Sequence, residues 1–307
     1  MLRSVCLLIS ISLLLGCKPD SDAAPDRTSS VGSRTPVVYV VNYPLQYFAE
    51  RIGGEHIQVE FPIPGDIDPR TWKPEAGDIE KFQSADLILL NGANYAKWTS
   101  FASLPGNLLV NTSDNFEDEL LEVSDAFVHR HGPEGVKSAK EKAVNVWLDF
   151  QLAQKQAEAI QDEFIQLAPE HQATFEENFA KLASDLKKLD EGFRAAFRRF
   201  ADQPLIASQP CFQYLARRYE VDIQSITWSP DRIPDSQESD QLEKALKNRP
   251  AKWIIWEKKP SPELVNHLRE KYSLECLVIL PKSNQQEDLP DWLETMESNL
   301  RSLQKIK

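Results

Sequence analysis

VVYVVNYPLQYFAERIGG, residues 37–54, is the stretch on which the fold turns. Val37 to Val41 form an unbroken apolar run rich in β-branched side chains, the pattern of a strand buried on both faces, as in a parallel sheet. The period then changes to that of a helix from Leu45 to Ile52, and the pattern stops at Gly53-Gly54. A buried strand followed by such a helix is a βα unit. Moving outward, Ile57–Ile63, a helix around Glu75–Ser84, Leu87–Leu90 and Asn107–Val110 extend the alternation. After Asp202 it restarts, with strands predicted at Leu205–Ala207, Asp222–Trp228, Trp253–Trp256 and Leu277–Leu280. Helices are predicted between and after them at Phe212–Tyr219, Gln237–Asn248, Pro262–Tyr272 and Leu289–Leu303.

Between the two alternating regions, Phe175, Phe179, Leu182, Leu186, Leu189, Phe193, Phe197 and Phe200 recur at spacings of three and four, without Gly or Pro before Gly192. One helix from Pro169 to Arg198, about 45 Å long, would brace two domains. A coiled-coil dimer seam is the rival, but four bulky Phe flanked by two α/β regions favour packing within one chain. The expected fold class is therefore α/β: two parallel-sheet α/β lobes joined by one long backbone helix, with a ligand cleft between the lobes. The expected boundaries are an N-terminal lobe at 36–168, a linking helix at 169–201 and a C-terminal lobe at 202–307. Open sheets bind ligands at the carboxyl ends of their strands. That directs attention to the loops holding Asn42–Pro44, Pro64–Pro74, Asn91-Gly92, His129–Asp149, Ser208–Cys211, Glu257–Lys259 and Pro281–Asn284.

A chain of 307 residues suits about two domains at roughly 150 residues each. With 41% hydrophobic and 27% charged residues it is neither collagen-like nor wholly disordered, and a net charge of -12 repels nucleic acid and anionic lipid. Arg3 precedes an apolar stretch, Ser4–Leu15, too short for a bilayer-spanning helix, which needs about 20 residues. It reads as a signal peptide over residues 1–16. Leu14-Leu15-Gly16-Cys17 resembles a bacterial lipobox, so Cys17 is the expected lipidation site and mature N-terminus; the alternative is a plain signal peptide with an accidental Cys. Residues 17–35 then form a flexible tether, and the protein belongs on the periplasmic side of the bacterial cell envelope. Cys211 and Cys276 are expected to be buried free thiols, since they fall near opposite ends of their strands, beyond disulfide reach.

VNYPLQYFAERIGG, then PIPGDIDPRTWKPEAGDIEKFQSADLILLNGANYAKW, VWLDF at 146–150, SQPCFQYLARRY at 208–219 and WEKKPSPELVNHL at 256–267 resemble, in order, the solute-binding proteins of zinc and manganese ABC transporters, the ZnuA/TroA-like group. The resemblance spans nearly all of residues 36–285. It implies a lipid-tethered protein that carries a divalent cation, Zn²⁺ or Mn²⁺, to a membrane permease, acting as a monomer without nucleic-acid partners. It also implies four ligand-bearing loops, two per lobe: a His in a DPH turn, a His just before the VWLD strand, a His or Glu in a TSH-like turn, and an Asp in a final DP turn. Here those positions read Arg70, Asn145, Gln209 and Leu280.

None of these four is a good zinc ligand, because zinc takes imidazole, thiolate or carboxylate. Relatives carry a His-rich segment before VWLD, and His129 and His131 stand there; with Glu134 and Glu257 they could form a low-affinity site, or they are a remnant on a solvated loop. Arg70 could instead occupy the former ion position, bridging to Glu257 or Asp149, or pair at the rim with Asp66 or Asp68; with Gln209 and Lys282 it could also receive an anion. His56, His171 and His267 read as surface residues. Tyr43, Trp72, Trp98, Trp147 and Trp256 read as core packing more than as a stacking platform. Catalytic motifs such as GxSxG, GxxxxGK[ST], HExxH and GxGxxG are absent from the sequence, so an enzyme is not expected. The expectation is a metal-binding transport lipoprotein; the alternative is a metal-independent binding protein that kept the scaffold.

Overall fold

A computed structural model describes residues 34–123, 141–286 and 289–306. Strands β1 (Val37–Val40), β2 (Gln58–Glu60), β3 (Leu87–Leu90) and β4 (Leu109–Asn111) form one all-parallel sheet in the order β2-β1-β3-β4. Strands β5 (Leu205–Ala207), β6 (Ile223–Ser225), β7 (Trp253–Trp256) and β8 (Glu275–Val278) repeat that order as β6-β5-β7-β8, again parallel. Val38, Val40, Leu89, Ile254 and Ile255 are fully buried, as unbroken apolar strands must be when both faces of a sheet are covered.

Helix α1 (Tyr43–Gly53) begins where Asn42 Oδ1 accepts the N–H of Leu45 at 3.0 Å. It ends at Gly54, whose φ of +54° is comfortable only without a Cβ. Helix α2 (Ala76–Gln83) opens on a reciprocal cap between Glu75 and Asp78. The VWLD segment departs from the expected strand. Val146–Leu148 is a 3-10 turn, and Asp149 caps α3 (Phe150–Leu167), a helix of 18 residues to which the sequence reading assigned no element. The cause is the burial of Val146, Trp147, Leu148 and Phe150 together: a short apolar run looks the same in a strand and in a buried turn.

The bracing helix α4 (Gln172–Phe197) has 26 residues, about 39 Å, with 3-10 turns at Pro169–His171 and Arg198–Phe200. Its buried stripe carries Phe175, Leu182, Leu186, Leu189, Phe193 and Phe197. The Phe193 ring meets Phe150 of the first lobe at 5.1 Å and Tyr219 of the second at 5.9 Å, so one helix face serves both lobes. Helices α5 (Gln213–Tyr219), α6 (Ser236–Asn248) and α7 (Pro262–Tyr272) connect the second sheet.

The last helix, α8 (Trp292–Gln304), packs on α4 and also reaches α1. Its Trp292 lies 5.0 Å from Phe48 and 6.2 Å from Phe150, edge to face. One continuous core consequently runs through both lobes, while a smaller one around Ile206, Trp228, Ile254 and Trp256 belongs to the second lobe alone. Among the described residues no helix is long and apolar enough to cross a membrane.

Candidate functional site between the lobes

In each sheet the strand order reverses between two neighbours, β1 with β3 and β5 with β7. Ligands of open α/β sheets bind beyond the carboxyl ends of such strands. At both points the first polar residues past the strands are joined to each other. Asn42 Nδ2 donates to Asn91 Oδ1 at 2.9 Å, and Ser208 Oγ donates to Glu257 Oε2. Asn42, Asn91 and Ser208 are buried, so each strand end is locked by an internal bond.

The four positions matched to family ligands come to this region and are engaged in bonds within the chain. Arg70 pairs with Asp68: its Nε donates at 3.0 Å and its Nη2 at 2.6 Å to Oδ2. The bridge to Glu257 or Asp149 is not formed: Arg70 pairs with Asp68, Glu257 accepts one hydrogen bond from Ser208, and Asp149 pairs with Arg217 and Arg218. Burial would raise the Asp68 carboxyl, but hydrogen bonds from Arg70 and its charge outweigh this and hold it below the usual range. Asn145 Nδ2 of the first lobe donates to the Cys211 carbonyl of the second at 3.0 Å, and Gln209 Nε2 donates to the Trp228 carbonyl at 2.9 Å. Leu280 offers only its backbone, both ends of which are held by the side chain of Asn299.

His129 and His131 lie outside the described residues. Among the described residues no three His, Cys, Asp or Glu side chains are grouped to hold a metal ion. Cys211 and Cys276 are free and only partly buried. Burial, reinforced by the charge of Glu257, pushes the Cys211 thiol well above its ordinary value, and burial raises Cys276 to about 11. Neither is a ready thiolate at neutral pH. His56 and His171 are half-buried, stacked on each other at 3.7 Å, and not bare surface residues. Trp72, Trp98, Trp147 and Trp256 are buried and pack in the cores.

Sequence reasoning missed the polar seam that ties the lobes. Arg218 Nε donates to Asp190 of α4 at 2.8 Å, Tyr219 hydroxyl to the same carboxylate at 3.1 Å, and Arg217 Nη2 to Asp149 at 3.1 Å. Tyr214 hydroxyl donates to the Ala143 carbonyl and accepts the N–H of Leu121. Residues 281–285 also reach the first lobe.

Two parallel-sheet lobes meet at their strand tips and are braced by one long helix. Residues 38–306 match the family described as zinc-uptake complex component A, periplasmic (ZnuA), and the chain belongs to that family. It is 25% identical over 308 residues to the high-affinity zinc uptake system protein ZnuA of Bacillus subtilis (strain 168), covering 96% of this chain and 95% of that protein. It is 25% identical over 277 residues to the zinc-binding lipoprotein AdcA of Streptococcus pneumoniae, covering 85% of this chain and 54% of AdcA. The chain thus spans about half the length of that relative. Among solved structures, the metal-dependent lipoprotein YcdH of Bacillus subtilis superposes with a TM-score of 0.75 at 23% identity, over 87% of this chain and 97% of that one. The solute-binding protein FpvC of Pseudomonas aeruginosa, in complex with Mn²⁺, gives 0.72 at 19% identity, over 88% and 99%. At these identities the two structures speak to fold.

Proposed function

We propose that this chain is the extracytoplasmic solute-binding lipoprotein of a metal ABC transporter, capturing Zn²⁺ or Mn²⁺ between its lobes for delivery to a membrane permease. The family match across residues 38–306 carries this reading, and relatives named for zinc uptake and zinc binding support it. In this reading residues 1–16 are removed, Cys17 carries lipid, residues 17–35 tether the body, 36–168 and 202–307 act as lobes about the 169–201 helix, and the protein works as a monomer. His129, His131 and Glu257 are the proposed ion contacts, since positions 70, 145, 209 and 280 supply no imidazole or carboxylate. Two imidazoles and a carboxylate suit zinc.

A second reading, metal-independent binding on the same scaffold, is favoured by one observation. The Arg70 guanidinium, paired with Asp68, puts a fixed positive charge at the position matched to a ligating His of the family. Metal content of protein purified without chelator, followed by zinc calorimetry on wild type and on the His129→Ala/His131→Ala double variant, separates the two. Bound metal, with affinity falling at least about tenfold in the variant when two of three ligands are lost, supports transport through the proposed contacts. Absence of metal and a flat titration select the second reading.

A further inference from the structure

Five consecutive residues of the second lobe lie against the first. Trp147 Nε1 donates to the Pro281 carbonyl at 2.8 Å. The Lys282 ammonium lies 5.3 Å from the centroid of the Tyr43 ring. Tyr43 N–H donates to the Ser283 carbonyl at 3.1 Å. Asn284 Nδ2 donates to two carbonyls at once, Pro64 at 2.7 Å and Ile67 at 2.6 Å. The Gln285 carbonyl sits so close to Gly65 that a Cβ there would come within 2.5 Å of it.

Three separate parts of the first lobe are engaged: the turn before α3, the first turn of α1 and the loop after β2. The run is anchored at its own start, where Asn299 of α8 holds both the N–H and the C=O of Leu280. It then passes through Lys282 in a left-handed conformation, φ +55°. A non-glycine residue keeps that conformation only where its surroundings over-determine it. Lys282 and Asn284 are only 7% and 8% exposed. All these contacts are direct, between groups of the chain itself.

We infer that residues 281–285 form an ion-independent strap that holds the two lobes closed, doing the work that a cation shared between lobes would otherwise do. A cleft that closes only on its cargo leaves the closing groups in water when empty; here the indole N–H of Trp147 and the carbonyl of Ile67 have their partners from the strap itself, and the Pro64 carbonyl adds Asn284 to the Ile67 N–H of its own loop. The strap starts beside the position matched to the family's last ligand, so the residue that would answer the ion is instead the root of a mechanical contact. The inference stands whichever reading of the cargo holds, because it concerns closure and not affinity.

The Tyr43 amide reports on the strap directly. As a first-turn donor of α1 it has no partner within its own helix, and its acceptor is the Ser283 carbonyl. Hydrogen exchange is measured by NMR on chelator-treated protein, with and without excess zinc, for wild type, Asn284→Ala and Gly65→Ala. The expected result is a Tyr43 amide protected without metal, unchanged by zinc, and exchanging at least about tenfold faster in each variant as local opening becomes easier. The amides of Phe48 to Ile52 keep their protection and certify the fold. Exchange of the Tyr43 amide at the free-peptide rate in metal-free wild type, protection that appears only with zinc, or protection untouched by both variants would overturn the strap. Should a variant not fold, the comparison of wild type with and without zinc decides alone. The zinc calorimetry above reads affinity independently, so failure of the strap and failure of the transport reading are told apart.

Discussion

Lys282 lies against the face of Tyr43, with no hydrogen-bond partner for its Nζ among the described residues. Burial lowers its pKa from the ordinary 10.5. The native amine therefore sheds its proton at lower pH than the unfolded one does, and between those two values the unfolded chain binds more protons. Stability accordingly rises with pH through that window, and the penalty for burying the charge is fully present below it. Lys282→Met is expected to flatten this slope in urea unfolding measured from about pH 7 to about pH 10, and to be at least as stable as wild type at the lower end. The Arg70–Asp68 pair behaves in the opposite sense. Asp68 is held below its ordinary value, so its contribution is present above the unfolded pKa and is lost as pH falls through the folded one. Because both side chains are more than a third exposed, Arg70→Ala is expected to change stability by less than about 1 kcal/mol in the same assay. This pairing was legible, since two residues of separation put it within local reach. The Asn145 bond to the Cys211 carbonyl was not, because its acceptor is a backbone group 66 positions away whose arrival depends on how the lobes dock.

Within and between elements, the βα pattern of residues 37–54 and its return after Asp202 could be read because strand and helix periods differ and Gly closes the first unit. Helix α3 could not be read beside the apolar VWL run, although Phe150, Ala153, Ala157, Ile160 and Phe164 fall on its buried face at helical spacing. The contact of α5 with α4 rests on a nearly buried charge pair, Arg218 with Asp190, whose side chains are 15% and 12% exposed. Arg218→Ala leaves Asp190 with the Tyr219 hydroxyl and a looser contact to Arg194 at 3.8 Å, and is expected to cost about 3 kcal/mol, read from the denaturation midpoint. Trp292→Ala opens a hole among Tyr47, Phe48 and Phe150, and about 3–5 kcal/mol should be lost in the same measurement. A value near zero would mean that α8 does not seat on the first lobe. The positions that match the ligand loops come from family resemblance; residue chemistry makes Arg70, Asn145, Gln209 and Leu280 poor zinc donors, but the bonds they make within the chain needed three dimensions.

Across the whole molecule, the two sheets repeat one strand order and are welded by one core rather than hung on a linker. Calorimetry is expected to give a single cooperative transition, since the larger of the two cores is shared by both halves. The seating of α8 sharpens this. Trp292 is separated from two of the rings it covers, Phe48 and Phe150, by more than a hundred residues of chain. A growing polypeptide thus keeps an oily notch open beside Phe48 and Phe150 until residue 292 has emerged. Premature termination upstream of that tryptophan would yield sticky, protease-sensitive fragments and no half-sized functional body.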